Sequence, residues 1–309
     1  HSGGLWYYPV VMLVGFFPWS IFAIPTTLDL VRRCRGAEPW QRGGKFLASW
    51  IVVYIAFFSA AATKLPNYVL PAYPALALAT ACLIDRWLTQ PATVHRWWPR
   101  LSFGSLALVG CITAISMPFI AKGTIHGWPV MEKLGVSAEL ADDLMIVTWL
   151  GVALAVGGVA ALVFSEVRKQ GPAMLGLGIT AVVFCLGLFA VIAVRIDRHQ
   201  PSPTIAEIIR QHSDGAPQVA QFGYFRPSLV YYTDSRVEAC KTPQQLAEFL
   251  QQSADAFAVT TNEQYGKLAA QLPADIVVVA KCAEFPRQGT VVILGRNAAV
   301  AVRDKGRTE

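Results

Sequence analysis

Polar positions are sparse along the first two thirds of the chain and frequent in the last third. Runs free of Asp, Glu, Lys and Arg cover Ser2–Leu28, Phe46–Thr63, Leu65–Ile84, Leu101–Ala121, Leu144–Ser165 and Gln170–Val194. A hydrocarbon core of about 30 Å takes roughly 20 apolar residues at helical rise, so this pattern predicts about six transmembrane helices over residues 1–194. Pro18 and Pro25 in the first run predict a kink or a late start there rather than a break. After Val194 the pattern shortens. Helical periodicity at Thr204–His212, Thr242–Gln252 and Asn262–Leu272 alternates with β-rich runs at Val219–Phe225, Leu229–Thr233, Ala256–Thr260, Ile276–Ala280 and Val291–Leu294, which predicts a small α/β domain over residues 195–309. Thr242-Pro243 reads as an N-cap followed by proline at the first helical position, and Pro201 and Pro203 read as a linker.

Composition sharpens the class. Of 309 residues 54% are apolar and 15% charged, a balance that excludes a purely soluble enzyme. The formal charge of +6 divides unevenly: residues 1–194 hold 13 Lys/Arg against 8 Asp/Glu, and residues 195–309 hold 13 against 12. The excess therefore sits in the apolar part, and the polar part has no basic stripe interleaved with aromatics, which argues against a nucleic-acid partner. Segments 29–45, 85–100 and 166–169 carry 5, 3 and 2 Lys/Arg, whereas the alternate loops carry only Lys64, Lys122 and Lys133. Because Lys and Arg are retained on the cytoplasmic side, the α/β domain and the Thr63–Lys64 turn are expected on the extracytoplasmic face. The chain opens at His1 with no basic segment ahead of its first apolar run, so it is expected to continue a longer protein.

Few residues invite chemistry. Gly43-Gly44-Lys45 precedes Phe46 instead of Ser or Thr, and Gly176-Leu177-Gly178 lies inside an apolar run, so neither is a nucleotide loop. His1, His95, His126, His199 and His212 show no triad or metal spacing. Cys34, Cys82, Cys111 and Cys185 fall in or beside the apolar runs, while Cys240 and Cys282 lie in the outer domain, where either a disulfide or two free thiols fits. The segment Thr63-Lys64-Leu65-Pro66-Asn67-Tyr68-Val69-Leu70-Pro71-Ala72-Tyr73-Pro74 is the most informative. It sets an ammonium at a membrane boundary beside a helix opened by Pro66, an arrangement suited to a lipid phosphate, with Tyr68 and Tyr73 as aromatic walls toward a sugar. The same residues also fit a snorkelling lysine and an interfacial aromatic belt. Trp6-Tyr7-Tyr8 suits that belt as well, and a neutral, inward-facing His1 would be a metal ligand or proton acceptor.

Together His1, Trp6-Tyr7-Tyr8, Gly15 and Pro18-Trp19, followed by Lys64-Leu65-Pro66, Tyr68 and Leu70-Pro71, resemble the C-terminal half of a GT-C class glycosyltransferase. The nearest pattern is that of the family that transfers 4-amino-4-deoxy-L-arabinose from undecaprenyl phosphate to lipid A, with protein mannosyltransferases as more distant kin. The motif match covers about residues 1–85. It implies a bacterial inner-membrane enzyme with a periplasmic C-terminal domain, a polyprenyl-phosphate-linked sugar as donor and an envelope glycolipid or protein as acceptor. It also implies a divalent metal associated with His1 and a donor cavity lined by Tyr68. Lys64 as the phosphate contact is a physical inference added to the resemblance. The family's catalytic aspartates lie in loops upstream of anything in this chain, so the catalytic residues are unknown here and the fragment alone is expected to be inactive. Glu132, Glu139, Asp142 and Asp143 are the acids available in the outer loops, and they read as a solvated stretch capping the helix at Leu144. The alternative function is a non-catalytic membrane anchor whose outer domain binds a ligand or partner, with Arg226-Pro227-Ser228 as a recognition loop or a plain turn.

Overall fold

The computed structural model describes residues 4, 6–36, 40–121, 124–125, 128–129, 145–234, 236–285 and 289–296. His1 and the acids Glu132, Glu139, Asp142 and Asp143 lie outside the described residues. Two compact units emerge: His1–Met117 with Ile146–Ala190, and Pro118–Met145 with Val191–Glu309.

In the first unit the helices are α1 (Tyr7–Gly15), α2 (Ala23–Arg35), α3 (Trp40–Ala60), α4 (Tyr73–Thr89), α5 (Trp97–Ala121), α6 (Ile146–Glu166) and α7 (Gln170–Leu186). Among the described residues five spans are long and apolar enough to cross a membrane: Gln41–Ala60, Pro66–Thr89, Trp97–Ile120, Ile146–Glu166 and Gln170–Asp197. The first expected crossing is instead broken. α1 stops at Gly15, a 3-10 turn covers Trp19–Phe22, and α2 runs on to Arg35. Pro18 lacks an N–H and disfavours helix at Phe17, which accounts for the break; Pro25 falls in the first turn of α2, where proline is tolerated. Lipid-type burial marks this unit, with Val52, Phe57, Leu108, Ile112, Trp149 and Val156 all exposed on helix exteriors.

The basic ends of this unit gather together. Asp29 of α2 is 2% exposed and accepts Arg33 Nε at 2.7 Å, while Arg86 of α4 approaches its other oxygen at 2.5 Å. Arg33 also donates to the Cys82 carbonyl at 3.2 Å. Arg32 stands 5.1 Å from the Trp98 ring, and Arg100 at the start of α5 pairs with Glu166 at the end of α6. Gly44, from the glycine pair that failed as a phosphate loop, lets α3 approach α2: a Cβ there would lie 2.8 Å from Arg33 Cβ.

The second unit contains a minimal antiparallel pair, β1 (Thr124–Ile125) and β2 (Trp128–Pro129), and a five-stranded sheet. The sheet comprises β3 (Gln218–Phe222), β4 (Val237–Ala239), β5 (Ala256–Thr261), β6 (Ile276–Ala283) and β7 (Thr290–Arg296) in the order β4-β3-β5-β7-β6. The first three are parallel and the last two antiparallel. α8 (Ala193–Asp197) follows a π turn at Gly187–Ile192, and the remaining helices are α9 (Pro201–Gln211), α10 (Pro227–Thr233), α11 (Pro243–Gln252) and α12 (Asn262–Leu268). Ile205, Ile209 and Leu229 from α9 and α10 cover the sheet face of Val219, Phe257, Val259 and Ile293. Leu246, Phe249, Leu250 and Leu268 from α11 and α12 cover the face of Ala220, Ala258, Val292 and Leu294. The alternation along each strand thus buries both faces, giving three layers.

Three local readings change. Pro201 begins α9 instead of marking a linker. Leu229–Thr233 is helical, because Pro227 opens a turn in which Thr233 Oγ1 donates to the Leu229 carbonyl at 2.8 Å and both residues face the core. The bridge admitted between Cys240 and Cys282 is not made; both thiols are free. Cys240 follows β4 at one edge of the sheet and Cys282 lies on β6 at the other, so about four strand spacings, roughly 19 Å, separate them, beyond disulfide reach. Burial raises the pKa of both thiols, with Glu238 adding to the effect at Cys240. A raised pKa means less thiolate at neutral pH, so alkylation of both is expected to be slower there than that of a free thiol and to quicken only above the pH range in which a free thiol ionises. Non-reducing peptide mapping should return two unlinked peptides; a crosslinked Cys240–Cys282 peptide would contradict the strand order.

Candidate functional site

The site expected around Lys64 is built where α3 ends and the next span begins. α3 stops at Ala60, residues 61–65 turn, and Pro66–Ala72 form a 3-10 helix that runs directly into α4. Leu65 is extended ahead of Pro66, which opens the 3-10 helix, and Pro74 falls in the first turn of α4, where its missing N–H would have had no partner within the helix. Lys64 itself is only 6% exposed, so it does not snorkel. Its Nζ donates to the Ser59 carbonyl at 2.5 Å, one of the acceptors left free at the C-terminal end of a helix. The ammonium thus turns back toward α3 rather than forward to the N-terminus at Pro66.

What it meets there is Tyr8. The Lys64 ammonium lies 5.8 Å from the centre of that ring, within cation–π range. Tyr8 is 0% exposed, and its hydroxyl has no hydrogen-bond partner among the described residues. A chain of rings continues from it: Tyr8 to Phe58 at 6.2 Å, and Phe58 to Tyr68 at 5.0 Å. Met12, Val69 and Ala72 close the cluster. Lys64, Tyr8 and Tyr68 therefore share one aromatic-walled cluster, with the ammonium and an unsatisfied phenol both buried in it.

Tyr73 has a different place. Its hydroxyl donates to the Val11 carbonyl at 3.3 Å, and its ring stacks on Phe16 at 6.1 Å. A Cβ on Gly15 would lie 2.2 Å from that hydroxyl, so Gly15 leaves room for Tyr73 to lock α1 against α4. The structure brings Lys64 and Tyr68 together with Tyr8, and uses Tyr73 to hold α1 beside them. Tyr8 is the residue that sequence reasoning passed over: within Trp6-Tyr7-Tyr8, Trp6 is 80% exposed as a belt residue should be, and Tyr8 is wholly buried. The signal that could have separated them is that consecutive helical residues point about 100° apart, so Trp6 and Tyr8 cannot share one environment on a helix packed on one side. For the metal expected with His1, no group of three His, Cys, Asp or Glu side chains comes together among the described residues.

No family model matches the chain. Among curated proteins it is similar to the undecaprenyl phosphate-alpha-4-amino-4-deoxy-L-arabinose arabinosyl transferase of Enterobacter sp. (strain 638), 27% identical over 177 residues, covering 51% of this chain and 31% of that protein. The enzyme of the same name from Pectobacterium carotovorum subsp. carotovorum (strain PC1) is 35% identical over 131 residues, covering 39% and 22%. Among solved structures, ArnT from Cupriavidus metallidurans bound to undecaprenyl phosphate superposes with a TM-score of 0.69 at 18% identity, over 96% of this chain and 53% of that one; its apo state gives 0.67 at 19%. The resemblance to this transferase family therefore holds in both sequence and fold, and the helical region followed by a small α/β domain is the architecture shared. The chain spans about half the length of the solved structures it matches and no more than about a third of these curated relatives. Nothing in these matches favours the non-catalytic anchor.

Proposed function

We propose that this chain is the lipid-binding part, with its α/β domain, of an integral-membrane glycosyltransferase. Such an enzyme takes a sugar from a polyprenyl-phosphate donor and attaches it to lipid A or another envelope acceptor. One observation supports the reading: among the described residues the Lys64 ammonium is buried with no carboxylate partner, beside a buried unsatisfied phenol in an aromatic cluster. A buried charge is costly unless it is paired, and a lipid phosphate would supply that pairing. Lys64 retains two donors after its bond to Ser59, Tyr8 adds a third, and Tyr68 forms the wall toward the sugar. When the bond from the sugar to the phosphate breaks, the departing phosphate gains a negative charge, and pre-placed donors stabilise it at that moment. The acceptor hydroxyl must lose its proton to a carboxylate, a role we assign to the protein upstream of His1, along with any metal held through His1. The one-sided distribution of Lys and Arg supports placing their cluster in the cytoplasm and the α/β domain in the periplasm of the inner membrane.

The test restores the upstream half and measures donor affinity and turnover separately. Lys64→Ala is expected to weaken binding of polyprenyl-phosphate sugar at least tenfold, about 1.4 kcal/mol, with Lys64→Arg partly rescuing it. Tyr68→Phe is expected to lower turnover more than affinity. Wild-type turnover with unchanged donor affinity in both Lys64→Ala and Tyr68→Phe would refute the assigned roles.

A further inference from the structure

The α/β domain contains a cleft that the lipid reading does not use. The chain leaves β3 through α10 to reach β4 on one side, then crosses by α11 to β5 on the other side of β3. Loops leaving the ends of β3 and β5 therefore diverge, and in a sheet with this strand order the crevice between them is where ligands bind. A cleft of about 1020 Å³ lies there, lined by residues 223–226 after β3, residues 261–264 at and after the end of β5, and Glu284, Gly289 and Thr290 from the ends of β6 and β7. Its floor is built with care. Gly223 has φ +64°, a backbone conformation that favours glycine, and any Cβ there would press to 3.0 Å from Gln264 Cγ.

Tyr224, 5% exposed, lines this cleft, and its hydroxyl makes no hydrogen bond of good geometry among the described residues. Burial raises its pKa against the opposing effect of nearby Arg226, so the phenol keeps its proton at neutral pH and offers a donor. Arg226 is held beside it, 6.0 Å from the ring centre, while donating to the Phe285 carbonyl. A buried hydroxyl with no hydrogen bond of good geometry is rare and costly, and among the described residues Arg226 is the one group that perturbs it by a weaker contact. The hydroxyl's position at the switch point of the sheet marks it as the contact a ligand would satisfy.

The surrounding groups choose the ligand. Among the described residues that line the cleft, two carboxylates, Glu263 and Glu284, stand with one guanidinium, Arg226, and Glu263 is shared with Lys267 at 2.7 Å. Among these described groups the balance is neutral to negative, which gives a phosphate no net attraction. Asn262, Gln264 and Thr290 supply donors and acceptors in equal measure, and Phe225 offers an exposed flat ring at the mouth. Amides, hydroxyls and a stacking face suit a polyhydroxylated ring, and the carboxylates suit an amino substituent on it. From this geometry we infer that the cleft at the ends of β3 and β5 is a saccharide-binding site that prefers an amino sugar to a phosphorylated one.

Titration of the full-length protein in detergent with methyl glucosaminide, methyl glucoside and glucose 6-phosphate tests this. Binding should fall in that order. Tyr224→Phe, which keeps the ring and the fold, should weaken methyl glucosaminide at least fivefold, and Glu284→Gln should erase its preference over methyl glucoside. Lys64→Ala should leave this binding unchanged, which separates the cleft from the lipid site. The inference is overturned if none of the three sugars binds, if glucose 6-phosphate binds tightest, or if both cleft variants bind as the wild type does. Thermal melting of Tyr224→Phe at the wild-type temperature ensures that a loss reports on the cleft.

Discussion

Replacing Asp29 by Ala is expected to destabilise the helical unit by about 3–5 kcal/mol, the usual cost of removing one partner from a buried ion pair. The carboxylate is 2% exposed and bridges two guanidiniums, those of Arg33 and Arg86, whose side chains are 17% and 23% exposed. Without it two cations would face each other across the α2–α4 contact, where Arg33 also donates to the Cys82 carbonyl. Reversible unfolding in mixed micelles is the measurement. Asp29→Asn should fall between wild type and Asp29→Ala, because the amide keeps an acceptor and loses the charge. Adding Arg86→Met to Asp29→Ala should recover more than half of the loss, since the uncompensated charge is then reduced. A loss below about 0.5 kcal/mol in Asp29→Ala, the range of ordinary surface changes, would show that the triad is not buried in the folded protein.

The same triad shows where reading the sequence falls short. A run ended at the first charged residue stops the leading span at Leu28, yet α2 continues to Arg35 because Asp29, Arg32 and Arg33 are partnered from α4 and α5. Those partners lie some fifty residues or more away, and no local pattern announces them. Local chemistry was legible: Thr242 caps α11 by accepting from the Gln245 N–H at 3.3 Å, as its Thr-Pro pair suggested. β5 occupies nearly the span its β-branched run indicated. In contrast Leu229–Thr233 has strand-like composition and is helical, because burial on one helical face overrode propensity. The short β4 has only three residues and too few apolar positions to show a period. At the candidate site the turn and its Lys-Leu-Pro motif could be read in advance, but the direction of the Lys64 side chain could not. Whether an ammonium points to the helix behind it or the one ahead is decided by the ring of Tyr8, fifty-six residues earlier in the chain.

Gly110→Val is expected to cost roughly 3 kcal/mol or more, at the upper end of the overpacking range, and to reduce the yield of folded protein. In lipid, apolar surface gives helices no net reason to associate, so close packing of small residues must hold them. α5 and α6 meet in that way. A Cβ on Gly110 would lie 2.2 Å from Ala155 N and 2.7 Å from the Gly151 carbonyl oxygen; one on Gly151 would lie 2.5 Å from Ala114 N; one on Gly158 would lie 2.5 Å from Ala107 N. The obstacles are backbone atoms, which cannot rotate aside as a flexible side chain could, so the helices must separate. Gly157 extends the contact to α7, where a Cβ would meet Thr180 Oγ1 at 2.0 Å. Gly104 lies on the same helix with nothing within 4 Å of its Cβ position, and Gly104→Ala should be neutral or stabilising by up to about 1 kcal/mol through helix propensity. Unfolding of the two variants side by side decides the matter: equal stability would mean that α5 and α6 do not meet backbone to backbone. The contrast is sharp because both substitutions add a Cβ to a glycine of α5, and backbone of the neighbouring helix stands against that atom at Gly110 and not at Gly104.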